Sequence, residues 1–344
     1  MQIVSKEYNG CSEIVLQNQT GLRLALCDLG ASIREISVPD KDGKQRVVTM
    51  RPADERLFRE CYYGKTIGRT AGRIAGATFT VNGKTAQLDK NNKGADNLHG
   101  GFSGLHAQVF SVRTAPADAY TDVIFFYRSP DGEGGYFGNA DITVTYRVWE
   151  KENKFSIVYD GVVDEPTLLN LTNHVYLNVG GDLGESVTEH TLTIAASRMA
   201  KLNERLIVED IVPVTDATDF RTARKIGEKI YEPQVQQYTH GYDHVYFLDA
   251  PDLTKDACSL RSDTSGIQLT MRTTSPCVVF YSNSMPKTEL AMSPTGQKDQ
   301  LYLAACLECE RFSDGIRRFP QTCAVTTPQA PYHEETQFVF TVCP

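Results

Sequence analysis

Hydrophobic and polar residues alternate at a period of two through most of the chain, which is the spacing of half-buried β-strands. Between Ser12 and Pro39 two β-rich runs, EIVLQN and GLRLALCDLGASIREISVP, meet at Asn18–Gly21 and predict a hairpin or meander. A turn at Lys41-Asp42-Gly43-Lys44 precedes VVTM, and Asp54–Glu60 predicts a first helical turn. In ATFTVNGKTAQLD, Asn82-Gly83 stands between alternating segments; both residues tolerate positive φ, so a two-residue hairpin turn is expected. The glycines of Asp131–Asn139 precede a strand and predict a turn into ADITVTYRVWE, with Ile142, Val144, Tyr146 and Val148 on one face. TLTIAASRM and VEDIVPVTDATDF continue the pattern, Thr222–Glu228 predicts a short helix, and VYFL, GIQLTMRTT, CVVFYS, LYLAACLECERF and TQFVFTV are further strands. In LYLAACLECE the alternation sends Leu301, Leu303, Ala305, Leu307 and Cys309 inward and Tyr302, Ala304, Cys306, Glu308 and Glu310 to the other face. Strands do not alternate with helices of roughly ten to fifteen residues, and no repeat or linker divides the chain. The expected fold is an all-β, antiparallel sandwich in one domain, residues 1–344.

One run has two chemically distinct faces. From Leu169 to Val179 (LNLTNHVYLNV), one face carries Leu169, Leu171, Val175, Leu177 and Val179 with only Asn173 polar, and reads as core. The other carries Asn170, Thr172, His174, Tyr176 and Asn178 and has no charge, whereas a solvated strand face is usually studded with Lys, Glu and Arg. Amide, hydroxyl, imidazole and aromatic groups are the inventory for gripping a neutral polyhydroxylated ligand. An ordinary polar outer face of an antiparallel sheet is the other reading.

Composition narrows the functional classes. With 41% hydrophobic and 23% charged residues the chain can bury a sizeable core, so disorder is not expected. The 35 Lys+Arg against 43 Asp+Glu leave a net charge of −8, and no basic run appears, which disfavours nucleic acid. No segment approaches the about 18 apolar residues of a membrane span, and the first ten residues lack the apolar stretch of a secretory signal, so a cytoplasmic protein is expected. The odd total of nine Cys without a framework spacing agrees. In the Cys306–Cys309 pair the alternation sends the sulfurs to opposite faces, which argues against a shared metal or disulfide.

Individual candidates are ambiguous taken singly. Arg69 and Arg73 in IGRTAGRIAG sit among Gly68, Gly72 and Gly76, a spacing that fits neither a phosphate loop nor a dinucleotide fingerprint. His99 lies in a turn-rich loop beside Gly100-Gly101, where backbone or ligand can approach closely; an exposed loop histidine is the alternative. Asp243 and His244, at the mouth of VYFL, are turn residues or ligand contacts. Glu308 follows small or aromatic residues on its strand face; partial burial would raise its pKa and suit it as a base, while an exposed strand-end carboxylate is the bland reading.

Taken together, the motifs resemble the aldose 1-epimerase (galactose mutarotase) family. IGRTAGRIAG, FTVNGKTAQL and NLHGG look like its opening signatures, and DGEGGYFGNADITVTY, LNLTNHVYLN, GYDHVYFLD and CLECERFSDG like its later ones, in order over nearly the whole chain. The resemblance implies large twisted antiparallel sheets packed as a super-sandwich, a few short helices, and a sugar cleft across a concave face. It implies Glu308 as base, His174 as acid and His99 as the second active-site histidine, with Arg73, Asp243 and Tyr176 contacting the sugar. Gly72 stands where the family usually has Asn and Val279 where it commonly has Gln, so two amide contacts to sugar hydroxyls are absent. Glu310 and Arg311 are expected to add charge near the pocket rim.

The implied reaction suits these residue types. Opening a cyclic hemiacetal takes a proton from the anomeric hydroxyl while giving one to the ring oxygen, so a base and an acid must flank one carbon. The expectation is an isomerase of carbohydrate metabolism that interconverts α and β anomers of a free aldose, with no metal and no redox cofactor. Its partner would be a small monosaccharide (hexose), with neither nucleic acid nor membrane, on a monomer or homodimer. Alternatives are an epimerase for a non-standard sugar and a non-catalytic sugar-binding or regulatory protein on the same fold. A glycosidase using Glu308 and Glu310 is disfavoured, because alternate residues of one strand point the same way and not from opposite sides of a bond.

Overall fold

Among the described residues the ladders between strands are antiparallel, and three sheets contain most of them. The computed structural model describes the chain apart from residues 9, 320–322, 324 and 344. The largest sheet has nine strands in the order Ser111–Pro116, Tyr120–Ser129, Ala140–Trp149, Lys154–Val163, Tyr332–Val342, Ile267–Thr273, Cys258–Arg261, Thr191–Ile194, Arg224–Lys225. Ala140–Trp149 alternates buried and half-buried at every residue, so Ile142, Val144, Tyr146 and Val148 point inward as their spacing predicts. A five-stranded sheet from the N-terminal part runs Gln2–Tyr8, Cys11–Gln17, Arg23–Cys27, Ser32–Pro39, Gln45–Val47. A second runs Val208–Pro213, Arg198–Leu202, Asp243–Phe247, Cys277–Tyr281, Cys306–Glu310. One hydrophobic core joins the three, through Val144 and Ile157, Leu24 and Ile36, and Phe280 and Leu307 respectively.

Several expected elements form as predicted. Asn82 and Gly83 have φ of 51° and 79° and close the hairpin between Thr78–Val81 and Lys84–Gln87. Glu55–Glu60 is helical, with the Asp54 carboxylate accepting from the Arg56 N–H as its N-cap. Other expectations need correction. Thr222–Glu228 is not a helix: Arg224–Lys225 pair with Thr191–Leu192 at the sheet edge, and only a 3₁₀ turn follows at Ile226–Glu228. The alternation in LYLAACLECE begins only at Cys306, because Tyr302 takes a left-handed φ of 60°; Leu301 is exposed while Tyr302 is buried in the core. Gln2–Tyr8, which the pattern did not single out, pairs with Cys11–Gln17.

The Leu169–Val179 run is not one continuous strand. Its backbone makes two short ladders, Thr172–Asn173 with Thr66–Ile67 and Tyr176–Leu177 with Thr49–Met50, yet its two-sided character holds. Leu169, Leu171, Val175, Leu177 and Val179 enter the main core. The polar face is buried too, which removes the reading as a solvated outer face. Most of it satisfies buried backbone. Asn170 donates to the Arg311 carbonyl at 2.9 Å and accepts its N–H at 2.7 Å, and Thr172 Oγ1 donates to the Cys309 carbonyl at 2.9 Å. Asn178 donates to the carbonyls of Glu185 and Leu303, both at 2.8 Å, and accepts from the Gly180 N–H at 3.1 Å. Asn173 on the core face is paired with the Gly64 carbonyl at 2.8 Å and the Tyr146 hydroxyl at 3.2 Å.

Asn178→Ala strips the partner from three such interior groups. At ~1 kcal/mol or more for each group left unpaired, the variant is expected to lose about 2–4 kcal/mol of stability. Urea unfolding should show a lower midpoint with an unchanged slope; a loss below ~0.5 kcal/mol would contradict the clamp.

Candidate active site

Strand register builds one wall of a cleft. Val245 lies opposite Val279 and Val279 opposite Glu308, while the neighbouring row aligns Asp243, Tyr281 and Cys306. Leu307 and Cys309 leave the Cys306–Glu310 strand on the far side, into the core, so Glu308 and Glu310 face the cleft. The polar run lies alongside this strand. Leu177 and Ala305 exchange two backbone hydrogen bonds of 2.8 Å, and Thr172 is tied to Cys309 at the other end. Between these ties His174 stands with Nε2 3.8 Å from Glu308 Oε1.

A third side comes from the short Arg73–Ile74 and Asn97–Leu98 ladder. The His99 N–H donates to the Gly72 carbonyl at 3.0 Å, and the Gly72 N–H donates to His99 Nδ1 at 3.3 Å. With Nδ1 accepting, the neutral ring has its proton on Nε2. His99 reaches this position with a left-handed φ of 54°. Its ring lies 5.3 Å from that of His174 in an edge arrangement. Tyr176 stacks on Tyr63 at 4.0 Å and runs parallel to the His174 imidazole at 5.0 Å, which fixes the plane of that ring. Arg73 Nη1 is 3.9 Å from Asp243 Oδ2, and Arg73 Nε is buried without a hydrogen-bond partner among the described residues. The cleft encloses about 230 Å³, with Leu202, Leu206 and Val208 forming an apolar flank.

Burial sets the protonation of this site. Glu308 is 4% exposed; burial, then the charges of Glu310 and Asp243, push its carboxyl well above the usual range, and Arg73 only partly offsets them. Burial lowers His174 to about 4, and it lowers His99 well below an ordinary histidine, with His174, Arg73 and His106 adding to the effect. Burial thus works against both charged forms and favours a carboxylic acid on Glu308 beside a neutral His174 imidazole.

All six residues named from the sequence, Glu308, His174, His99, Arg73, Asp243 and Tyr176, line this one cleft, and so do Gly72 and Val279. Glu310 differs from expectation: it is not at the rim but is a buried part of the wall, 1% exposed. Arg311 turns away, its Nε 2.7 Å from Glu334 Oε1 and its guanidinium over the Tyr332 ring. Tyr62, which also lines the cleft and meets His99 edge-on at 4.8 Å, had no periodic signal to mark it. Arg69 is structural, buried and donating to Ser129 Oγ and to the carbonyls of Ser129, Pro130 and Phe137. Among the described residues two groups bring three potential metal-binding side chains together, with donor atoms within 4.8 Å: Cys11, Cys27 and Asp28, and His174, Cys306 and Glu308. The Arg59 guanidinium, 3.2 Å from Cys11 Sγ, opposes a cation in the first.

Comparison with known proteins shows the family. The family profile described as aldose 1-epimerase matches residues 12–339. The chain is 31% identical over 334 residues to aldose 1-epimerase of Escherichia coli (strain K12), covering 95% of this chain and 94% of that protein. It is 30% identical over 327 residues to galactose mutarotase of Homo sapiens, covering 93% and 92%. An aldose epimerase homologue from C. elegans superposes with a TM-score of 0.86 at 27% identity, over 97% of this chain and 100% of that one. Galactose 1-epimerase from Lactobacillus acidophilus shares the fold, with a TM-score of 0.85 at 22% identity over 100% and 99% of the two chains. Given a profile match over almost its full length, relatives of that name and a cleft that gathers the dispersed motif residues, the chain belongs to the aldose 1-epimerase family of sugar isomerases.

Proposed function

We propose that the cleft opens and recloses the ring of a free aldose, interconverting its α and β anomers, with Glu308 as base and His174 as acid. The observation that supports this most is the 3.8 Å approach of His174 Nε2 to Glu308 Oε1, both buried in one cleft wall and shifted in opposite directions from their ordinary pKa values. The pair holds one proton. A bound sugar, donating its anomeric O–H to Glu308 and accepting from His174 at the ring oxygen, favours the tautomer in which His174 is protonated and Glu308 ionised. Glu308 then takes the anomeric proton, the bond from C1 to the ring oxygen breaks, and that oxygen takes the proton of His174. Ring opening turns a buried ion pair into a neutral pair, which the low-dielectric surroundings favour. After rotation about the C1–C2 bond the aldehyde recloses with both transfers reversed.

The remaining residues orient the sugar. His99, with its proton on Nε2, donates toward the reacting oxygens. Arg73, with its unpaired Nε, and Asp243 hold hydroxyls on the far side, and Tyr176 lines the sugar while keeping the His174 ring in plane. A binder without turnover has no need of an acid and a base at one carbon, and the relatives bear the names of epimerases and mutarotases. The substrate expected is a free hexose. The chain is read as one domain over residues 1–344, supported by a core that runs from Ile14 to Phe340. A cytoplasmic setting is supported by nine free cysteines, and no helix among the described residues is long and apolar enough to cross a membrane.

Polarimetry of fresh α-D-glucose and α-D-galactose tests the reaction. Glu308→Gln and His174→Asn are each expected to lower kcat by ~10²–10⁴ with a smaller change in KM; wild-type rates in Glu308→Gln would remove it as the base. The pH profile tests the shared proton. A second proton on the pair stops the reaction, so kcat/KM should stay level through neutrality and fall on an acid limb near 4, the His174 value. An acid limb close to 6.5, where an ordinary histidine titrates, would contradict the neutral resting pair.

A further inference from the structure

Glu310 is a buried carboxylate that the proton transfers leave unused. It follows Glu308 by two residues on the Cys306–Glu310 strand, so both side chains leave the same strand face and both line the cleft. The Ser313 hydroxyl donates to Glu310 Oε1 at 3.0 Å. Among the described residues no Lys, Arg or His forms an ion pair with Glu310; the adjacent Arg311 is held by Glu334. Gly72 makes this arrangement possible. A Cβ at residue 72 would stand 2.0 Å from Ser313 Oγ and 3.4 Å from Glu310 Oε1, so only a glycine lets Ser313 occupy this corner and anchor the carboxylate.

The charge balance of the cleft points the same way. Asp243, Glu308, Glu310 and Asp314 line it; Asp243 lies 3.9 Å from Arg73 and Asp314 3.8 Å from Arg317, whereas among the described residues no Lys or Arg is paired with Glu310. Desolvation disfavours the charged form of both cleft histidines, the buried His174 and the half-buried His99. Burial, partly offset by Ser313 and Asn170 and aided by Asp243, raises the Glu310 carboxyl to about 8. Glu310 therefore has no cationic partner among the described residues, and a positive group on the ligand would fill that place.

We propose that Glu310 is a specificity residue that receives the ammonium group of an amino aldose, a sugar with its amine on C2 or C3, while Glu308 receives the anomeric hydroxyl. The proposal rests on the anomer-exchange reading above. Alternate residues on one strand face stand ~6.5–7 Å apart, which allows two carboxylates to reach the anomeric oxygen and a substituent one or two carbons along the ring. An ammonium presents three donors and a full charge, whereas a hydroxyl offers one neutral donor; charge-assisted hydrogen bonds are about twice as strong as neutral ones.

The test is NMR exchange spectroscopy at about pH 7 to 8, where a bound sugar amine and Glu310 share one proton and can form the ammonium–carboxylate pair, on D-glucosamine, 3-amino-3-deoxy-D-glucose, D-glucose and D-galactose. For the wild type, kcat/KM for one of the amino sugars should exceed that for the neutral sugars by ~10-fold. Glu310→Gln, which keeps the shape and removes the charge, should lower that ratio by ~10-fold, and Ser313→Ala, which frees the carboxylate, should lower it by less. A wild-type ratio at or below one, or an unchanged ratio in Glu310→Gln, overturns the role of Glu310 and leaves the anomer-exchange reading intact. No acceleration with any of the four sugars overturns the exchange reading itself. Calorimetric titration of the two amino sugars into wild type and Glu310→Gln then decides amine recognition separately, equal affinities overturning it.

Discussion

The need to pair every buried polar group governs how this site is put together. The Leu169–Val179 run crosses the interior, where water cannot solvate it, so its side chains are committed to other backbones: Asn170 to Arg311, Thr172 to Cys309, Asn173 to Gly64, Asn178 to Glu185 and Leu303. These bonds bind the run to the Cys306–Glu310 strand and its approach. His174 is thereby held against Glu308 by neighbours that take no part in the chemistry. Placement to a few tenths of an ångström is what acid–base catalysis at one carbon demands.

Burial that positions the dyad also decides its charge. Two groups taken from water lose their charged forms first, and here that leaves a carboxylic acid beside a neutral imidazole. Under the proposed mechanism that neutral pair is also the state that follows ring opening, so burial would favour the open-chain intermediate over the cyclic sugar.

How much could be read from the sequence depended on the range of the interactions involved. The all-β class was legible because Ala140–Trp149 and its like alternate without interruption, and Asn82-Gly83 marked its hairpin through backbone chemistry alone. Thr222–Glu228 misled because pairing with Thr191–Leu192 outweighs local helical preference, and the inward face of LYLAACLECE was extended too far because Tyr302 breaks the strand with a positive φ. Arg73, His99, His174, Asp243 and Glu308 lie on separate parts of the chain, and no local pattern says that they meet; the family resemblance supplied that, and the fold brings them to one cleft. Burial of Glu310 and the presence of Tyr62 depend on packing from elements distant in sequence, which spacing does not encode.

His99 carries a consequence of another kind. A residue with a bulky side chain held at a φ of 54° costs the native state on the order of 1–3 kcal/mol. The two hydrogen bonds with Gly72 hold the backbone there, and a glycine at position 99 would adopt the same conformation without strain. Under the proposed mechanism the fold and the chemistry make opposite demands at this residue: the chain would be at ease without the imidazole, and the cleft would lose the ring whose tautomer that conformation fixes.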